Sequence, residues 1–223
     1  MFGFDLTRLL YVVPAIVLAL SIHEYAHARV AYAFGDSTAR DAGRLTLNPL
    51  KHLDVVGTLT LIFVGFGWAK PVPINPWYFG QPRKLRVLWV SLAGPASNIL
   101  QALLGTGIIA VFWHFVHDPG ELAFYFFMLL NYYVSINLSL AFFNLIPIPP
   151  LDGSKILASL LPDRHFNIVL ALERYGFLIL MLLCFLPNIL SWLGLPAIDP
   201  LSSLISVPAA WLRELFFSIF GIN

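Results

Sequence analysis

The sequence predicts an all-α polytopic membrane protein: about four full transmembrane helices, a short re-entrant segment, and a C-terminal helix that either lies at the interface or spans. Three observations carry this expectation. Hydrophobic residues make up 59% of the 223-residue chain and charged residues 11%, with a mean hydropathy of +0.80, outside the range of ordinary soluble domains. The apolar residues gather into runs long enough to cross a hydrocarbon core of about 30 Å. Polar stretches rich in Gly and Pro separate those runs, without an internal repeat, a soluble domain or a low-complexity linker. A net charge of +1 with dispersed basic residues argues against nucleic-acid binding, so the expected surroundings are a lipid bilayer.

Residues 1–8 form a short amphipathic lead-in. The run 9–33 would be about 37 Å long as a helix, enough to span. Arg8 ahead of it and Ala26 and Ala28 near its end give it the outline of a secretory signal. Cleavage there would cut through its polar residues, so it is read as a retained helix.

Those polar residues lie in SIHEYAHAR, residues 21–29. On a helix His23 and His27 are one turn and about 40° apart, so both imidazoles can reach one cation. Glu24 follows His23 by about 100°, which leaves its carboxylate beside such a cation, able to take a proton from water. This is the H-E-x-x-H arrangement of zinc peptidases. His23 is about 15 Å from the helix end, at membrane depth, where ionisable groups are costly and pair with one another or serve function. A divalent cation would satisfy all three. The competing reading is a polar packing network between helices. The one cysteine, Cys184, excludes an intramolecular disulfide and a thiolate metal site, so any metal must be held by His and carboxylate.

From 34 to 54 the composition turns polar and reads as a structured loop outside the membrane, with His52 and Asp54 expected to be solvated. The apolar run 55–68 would be about 21 Å long as a helix, too short for a full crossing, so a re-entrant segment is expected. Residues 69–84, AKPVPINPWYFGQPRK, carry four prolines, which exclude a continuous helix and a central strand but permit an extended edge. Such an edge could hold an unwound peptide by strand addition; a rigid interfacial loop with Trp77 and Tyr78 at the surface is the alternative.

Run 85–116 should span, and its GPASN stretch, 94–98, provides small residues for close helix approach and one amide, Asn98, that needs a polar partner. A loop at 117–121 precedes a further span at 122–145. There NLIPIPPLDG, 144–153, ends the helix with three prolines and presents Asp152 on a loop stiffened by Pro and Gly. A carboxylate there suits a third zinc ligand, because three protein ligands leave one position open for water. Residues 154–174 suggest an interfacial helix broken at Pro162, residues 175–195 should span, and residues 201–220 are undecided between crossing and lying on the surface. Lys and Arg gather after the first span, after the short segment and after Asp152, and are missing from 117–121. The positive-inside rule then puts the first three regions in the cytoplasm.

HEYAH at 23–27, GPASN at 94–98 and NLIPIPPLDG at 144–153 together resemble the site-2 protease family of intramembrane zinc metalloproteases. The resemblance runs from the first helix to about Ser159. It implies that His23, His27 and Asp152 bind one Zn2+, that Glu24 is the general base, and that Asn98 and Asn144 support the site or the substrate. The implied substrates are transmembrane-helix proteins, cut within or near their spans. Many members carry a PDZ or CBS domain; this chain has no room for either. It is similar to a compact member, a single membrane-embedded metalloprotease domain over 1–223 with its core at 9–159 and C-terminal helices at 160–223. Whatever those domains do elsewhere would then be missing or supplied by a regulatory partner. Without an organellar signal, a prokaryotic cytoplasmic membrane is expected, with the site open to the cytoplasm. Two other readings compete: a divalent-metal transporter and an inactive scaffold that binds transmembrane helices. Glu24 discriminates, since a transporter could use it as a ligand or tolerate Gln there, whereas a protease loses its base.

Overall fold

The structure, a computed structural model, describes residues 6–57, 60, 67–116 and 120–222. Among these, seven α-helices follow one another: α1 Leu6–Ala33, α2 Thr38–Asp41, α3 Arg83–Phe115, α4 Glu121–Asn144, α5 Asp152–Leu160, α6 Phe166–Trp192 and α7 Pro200–Ile219. Four stretches are long and apolar enough to cross a membrane: Arg8–Ala33, Arg83–Phe115, Glu121–Asn144 and Asn167–Trp192. The chain is an all-α integral membrane protein. The expected re-entrant segment, 55–68, the loop at 117–121 and the lead-in 1–8 lie largely outside the described residues.

The first span packs through small side chains. Ala15, Ala19, His23, His27 and Ala31 recur every four residues along one face of α1 and are all buried. That periodicity builds a stripe along which α3 approaches closely. The matching face of α3 carries Ser91, Gly94, Asn98, Ala102, Gly105 and Ile109, again at helical spacing and buried. A Cβ added to Gly105 would lie 2.9 Å from Val134 of α4, so the crossing of α3 and α4 needs a glycine there. Ala102, Ile109, Leu130, Val134 and Leu138 then form one apolar core, to which α7 adds Ala209 and Phe216.

The C-terminal helix runs alongside α4 and is not one of the stretches long and apolar enough to cross a membrane. Leu201 and Ile205 pack near Ile146 and Leu151, just past the end of α4. Farther along, Arg213 donates to the Asn131 side chain at 3.2 Å, and Phe220 lies against Gly107 of α3. The path is antiparallel to α4 and about 30 Å long.

Two expectations need correction. The span expected at 175–195 begins nine residues earlier, because no Pro or Gly separates His165 from the helix-forming run that follows; only α5, Asp152–Leu160, remains as a separate short helix. His52 is fully buried rather than solvated: its Nε2 donates to the Thr46 carbonyl at 2.7 Å, and its own carbonyl accepts from the Lys70 amide at 2.9 Å. Buried Arg44 donates to the Lys70 carbonyl at 2.5 Å, and Asp36 accepts from the Asn75 amide at 2.7 Å. The loop thus clamps residues 69–75 as an extended segment against the end of α1. No strand forms there among the described residues; a single antiparallel bridge joins Leu53 to Ala69.

Candidate metal centre

Side chains from two distant stretches of the sequence, His23 and His27 on α1 and Asp152 at the start of α5, converge inside the helix bundle. Nε2 of His23 and Nε2 of His27 are 3.0 Å apart, and Oδ2 of Asp152 is 3.2 Å from the first and 3.0 Å from the second. All three residues are buried, and they form a group that could hold a metal ion. A tetrahedral zinc site with bonds of about 2.0–2.1 Å has ligand-to-ligand edges of about 3.3 Å, close to this triangle.

The donors also have the right chemistry, which follows from their outer partners. Nδ1 of His27 donates to the Val90 carbonyl at 2.6 Å, and Nδ1 of His23 donates to Oδ1 of Asn98 at 2.5 Å. Both partners are acceptors, so each neutral imidazole carries its proton on Nδ1 and turns a lone pair on Nε2 toward the cluster. Two lone pairs and an anionic oxygen within about 3 Å of one another repel unless a cation sits among them.

The space for that cation is made by glycine. A Cβ at position 94 would lie 2.3 Å from Nε2 of His27 and 2.6 Å from Nε2 of His23. Gly153 has an equivalent role behind Asp152: its Cβ would lie 2.3 Å and 2.4 Å from the carbonyl oxygens of Leu145 and Ile146. The Asp-Gly pair is therefore a requirement of the loop, which must pack directly on the end of α4.

Glu24 faces the same cavity, and its Oε2 accepts the Val72 amide at 2.9 Å. The proline-rich segment thus holds the carboxylate in place. The cavity, of about 940 Å³, is bounded by α1, α4, α6 and residues 67–79, and Lys155 and Ser91 line it. Asn144 lines it too but stays outside the donor cluster, its Nδ2 donating to the Leu140 carbonyl at 3.0 Å. Asp54 caps the Gly57 amide and takes no part.

One residue of this network, Asn137, was not evident from motifs. Asn98 donates through Nδ2 to Oδ1 of Asn137 at 2.8 Å, and Asn137 donates to the Tyr133 carbonyl at 2.9 Å. The available signal was an amide inside an apolar span, which always needs a partner.

Comparison with known proteins agrees with this geometry. The peptidase family M50 model matches residues 106–186, which include Asn137 and Asp152. "Putative zinc metalloprotease YwhC" of Bacillus subtilis is 42% identical over 189 residues, 82% of this chain and 84% of that protein. The chain belongs to peptidase family M50, the site-2 protease family. As an M50 member it is also similar to "Putative zinc metalloprotease Rip2" of Mycolicibacterium smegmatis, 30% identical over 81% of this chain and 69% of that protein. "Putative zinc metalloprotease MJ0611" of Methanocaldococcus jannaschii is 38% identical over a shorter stretch, 30% of this chain and 31% of that one. No solved structure matches significantly.

Proposed function

We propose that this M50 protein is an intramembrane zinc metalloendopeptidase that hydrolyses peptide bonds within or near the transmembrane segments of membrane-protein substrates. The observation that carries the reading is the convergence of His23, His27 and Asp152 at membrane depth with Glu24 on the same cavity. In this reading the whole chain is one membrane-embedded domain. The three side chains hold one Zn2+, which when bound lowers the pKa of water toward neutrality and polarises a peptide carbonyl.

The chain's own residues do the rest. Glu24 accepts a proton from the attacking water as its oxygen bonds to the carbonyl carbon, and returns it to the amine as the C–N bond breaks. Asn98 and Val90 keep both imidazoles in the tautomer that leaves Nε2 free. The apolar wall of α1, at Val12, Ile16 and Leu20, supports a transmembrane helix as the occupant of the cavity. Such a helix must unwind locally, because its own hydrogen bonds shield the scissile carbonyl.

The free edge of residues 72–74 supports that step. Glu24 takes the Val72 amide and prolines at 71 and 73 donate nothing; among the described residues none pairs with the Val72 carbonyl or the Ile74 amide, which suits them to receive an extended peptide. The gathering of Lys and Arg around this segment and after Asp152 supports a site reached from the cytoplasmic face of a prokaryotic membrane.

The test uses purified full-length protein in detergent with a panel of single-span substrates, wild type beside Glu24→Gln, and zinc determined on both. Wild type should cleave, and the variant should lose about 10²–10⁴-fold in rate while retaining zinc. Undiminished proteolysis by Glu24→Gln would sink the mechanism.

A further inference from the structure

We infer that Asn137 is a positioning residue for the metal centre: it decides which end of the Asn98 amide faces His23, and so which nitrogen of His23 is free to bind the ion. The inference rests on the reading that His23, His27 and Asp152 hold zinc.

The two histidines are oriented in unlike ways. Nδ1 of His27 meets a backbone carbonyl, which can only accept, so its tautomer is fixed by the main chain. Nδ1 of His23 meets a primary amide, whose two ends are nearly the same size and opposite in hydrogen-bonding sense. Rotated by half a turn, Asn98 would present its NH2 to Nδ1. That nitrogen would then have to carry the lone pair and Nε2 the proton. The proton would point at Nε2 of His27 and Oδ2 of Asp152, which lie 3.0 Å and 3.2 Å away, in the space a cation needs. A wrongly turned Asn98 thus replaces the metal with a proton.

Something must therefore forbid the rotation, and the chain of amides shows what does. The Tyr133 carbonyl is an acceptor with no alternative, so Asn137, 2.9 Å away, must turn Nδ2 toward it. That leaves Oδ1 of Asn137 toward Asn98, which must answer with its own Nδ2 at 2.8 Å. A second, longer contact of 3.5 Å from the same Nδ2 to the Ala19 carbonyl favours the same sense. Oδ1 of Asn98 is then the end that reaches His23. Asn98 and Asn137 are both fully buried, so no solvent competes for either end. Asn137 itself contacts none of the three donors; it acts through Asn98.

The experiment is a zinc-affinity measurement by chelator competition on full-length protein in detergent, for wild type, Asn137→Ala, Asn98→Asp and the double variant. Asn137→Ala should weaken zinc binding by about 10–100-fold, the usual cost of losing an outer partner of a metal-binding histidine. In the Asn98→Asp background both ends of the side chain are oxygen, and neither can offer His23 a donor. There Asn137→Ala should cost less than about twofold, the scatter expected of independent sites. Wild-type affinity in Asn137→Ala would overturn the inference. So would an equal loss in both backgrounds, which would mark Asn137 as a packing residue only. A wild-type protein that binds no zinc would instead overturn the reading of the cluster on which the inference stands.

Discussion

The two sides of the cavity are built to different standards. On one side α1, α3 and α4 meet through Ala, Gly and Ser, and 33% of the most apolar stretch of α3 is buried. On the other side stands α6, whose most apolar stretch is only 11% buried, with Phe177, Leu178 and Leu182 exposed along it. The donors all belong to the tight side. His23 and His27 are on α1, and Asp152 is tied to the end of α4 by the close approach of Gly153. The difference teaches that chemistry and access are divided. Geometry that must hold to a few tenths of an ångström is placed among small buried residues, while the wall toward lipid is held by few neighbours.

This contrast can be broken most forcefully at Gly94. Gly94→Ala places a carbon 2.3 Å from Nε2 of His27, and the imidazoles must move by more than half an ångström. Proteolysis should fall by about 10²-fold or more, with a matching loss of zinc on chelator challenge. Asn98→Ala removes only the outer partner of His23 and should weaken zinc binding by about 10–100-fold, read in the same titration.

Gly153→Ala collides with two backbone carbonyls that cannot swing aside. It should destabilise the fold by about 1–3 kcal/mol, seen as a lower thermal midpoint, and shift Asp152 out of the cluster. The smallest effect belongs to the loose side. Leu178→Ala, at a residue 67% exposed toward lipid, should change stability by no more than about 0.5 kcal/mol and leave zinc binding intact. A large effect there would show that α6 is held as firmly as α3, and would remove the distinction.

How much of this was legible in the sequence depends on how far apart the participants are in the chain. His23 and His27 are four residues apart, so helical periodicity alone brings them together. Asp152 was legible because prolines and a glycine stiffen its loop, and the four candidate spans follow from composition and length. Other features depend on approaches between segments that no local period encodes. The hold of Val72 on Glu24 joins positions 48 residues apart, and the contact from Asn98 to Asn137 joins two different spans. His52 misled for a related reason. A polar residue in a polar stretch is normally solvated, but here the 69–75 segment folds over it and its hydrogen bonds turn inward.

The bare α-carbon at position 94 has a practical consequence. A side chain added there occupies the centre while every donor, carboxylate and outer partner keeps its identity and its charge. Gly94→Ala should therefore yield an inert form that differs from the active one by a single methyl group. Glu24→Gln, in contrast, keeps the ion and its charge and gives up a single carboxylate. The two variants therefore separate what the ion does for substrate capture from what the base does.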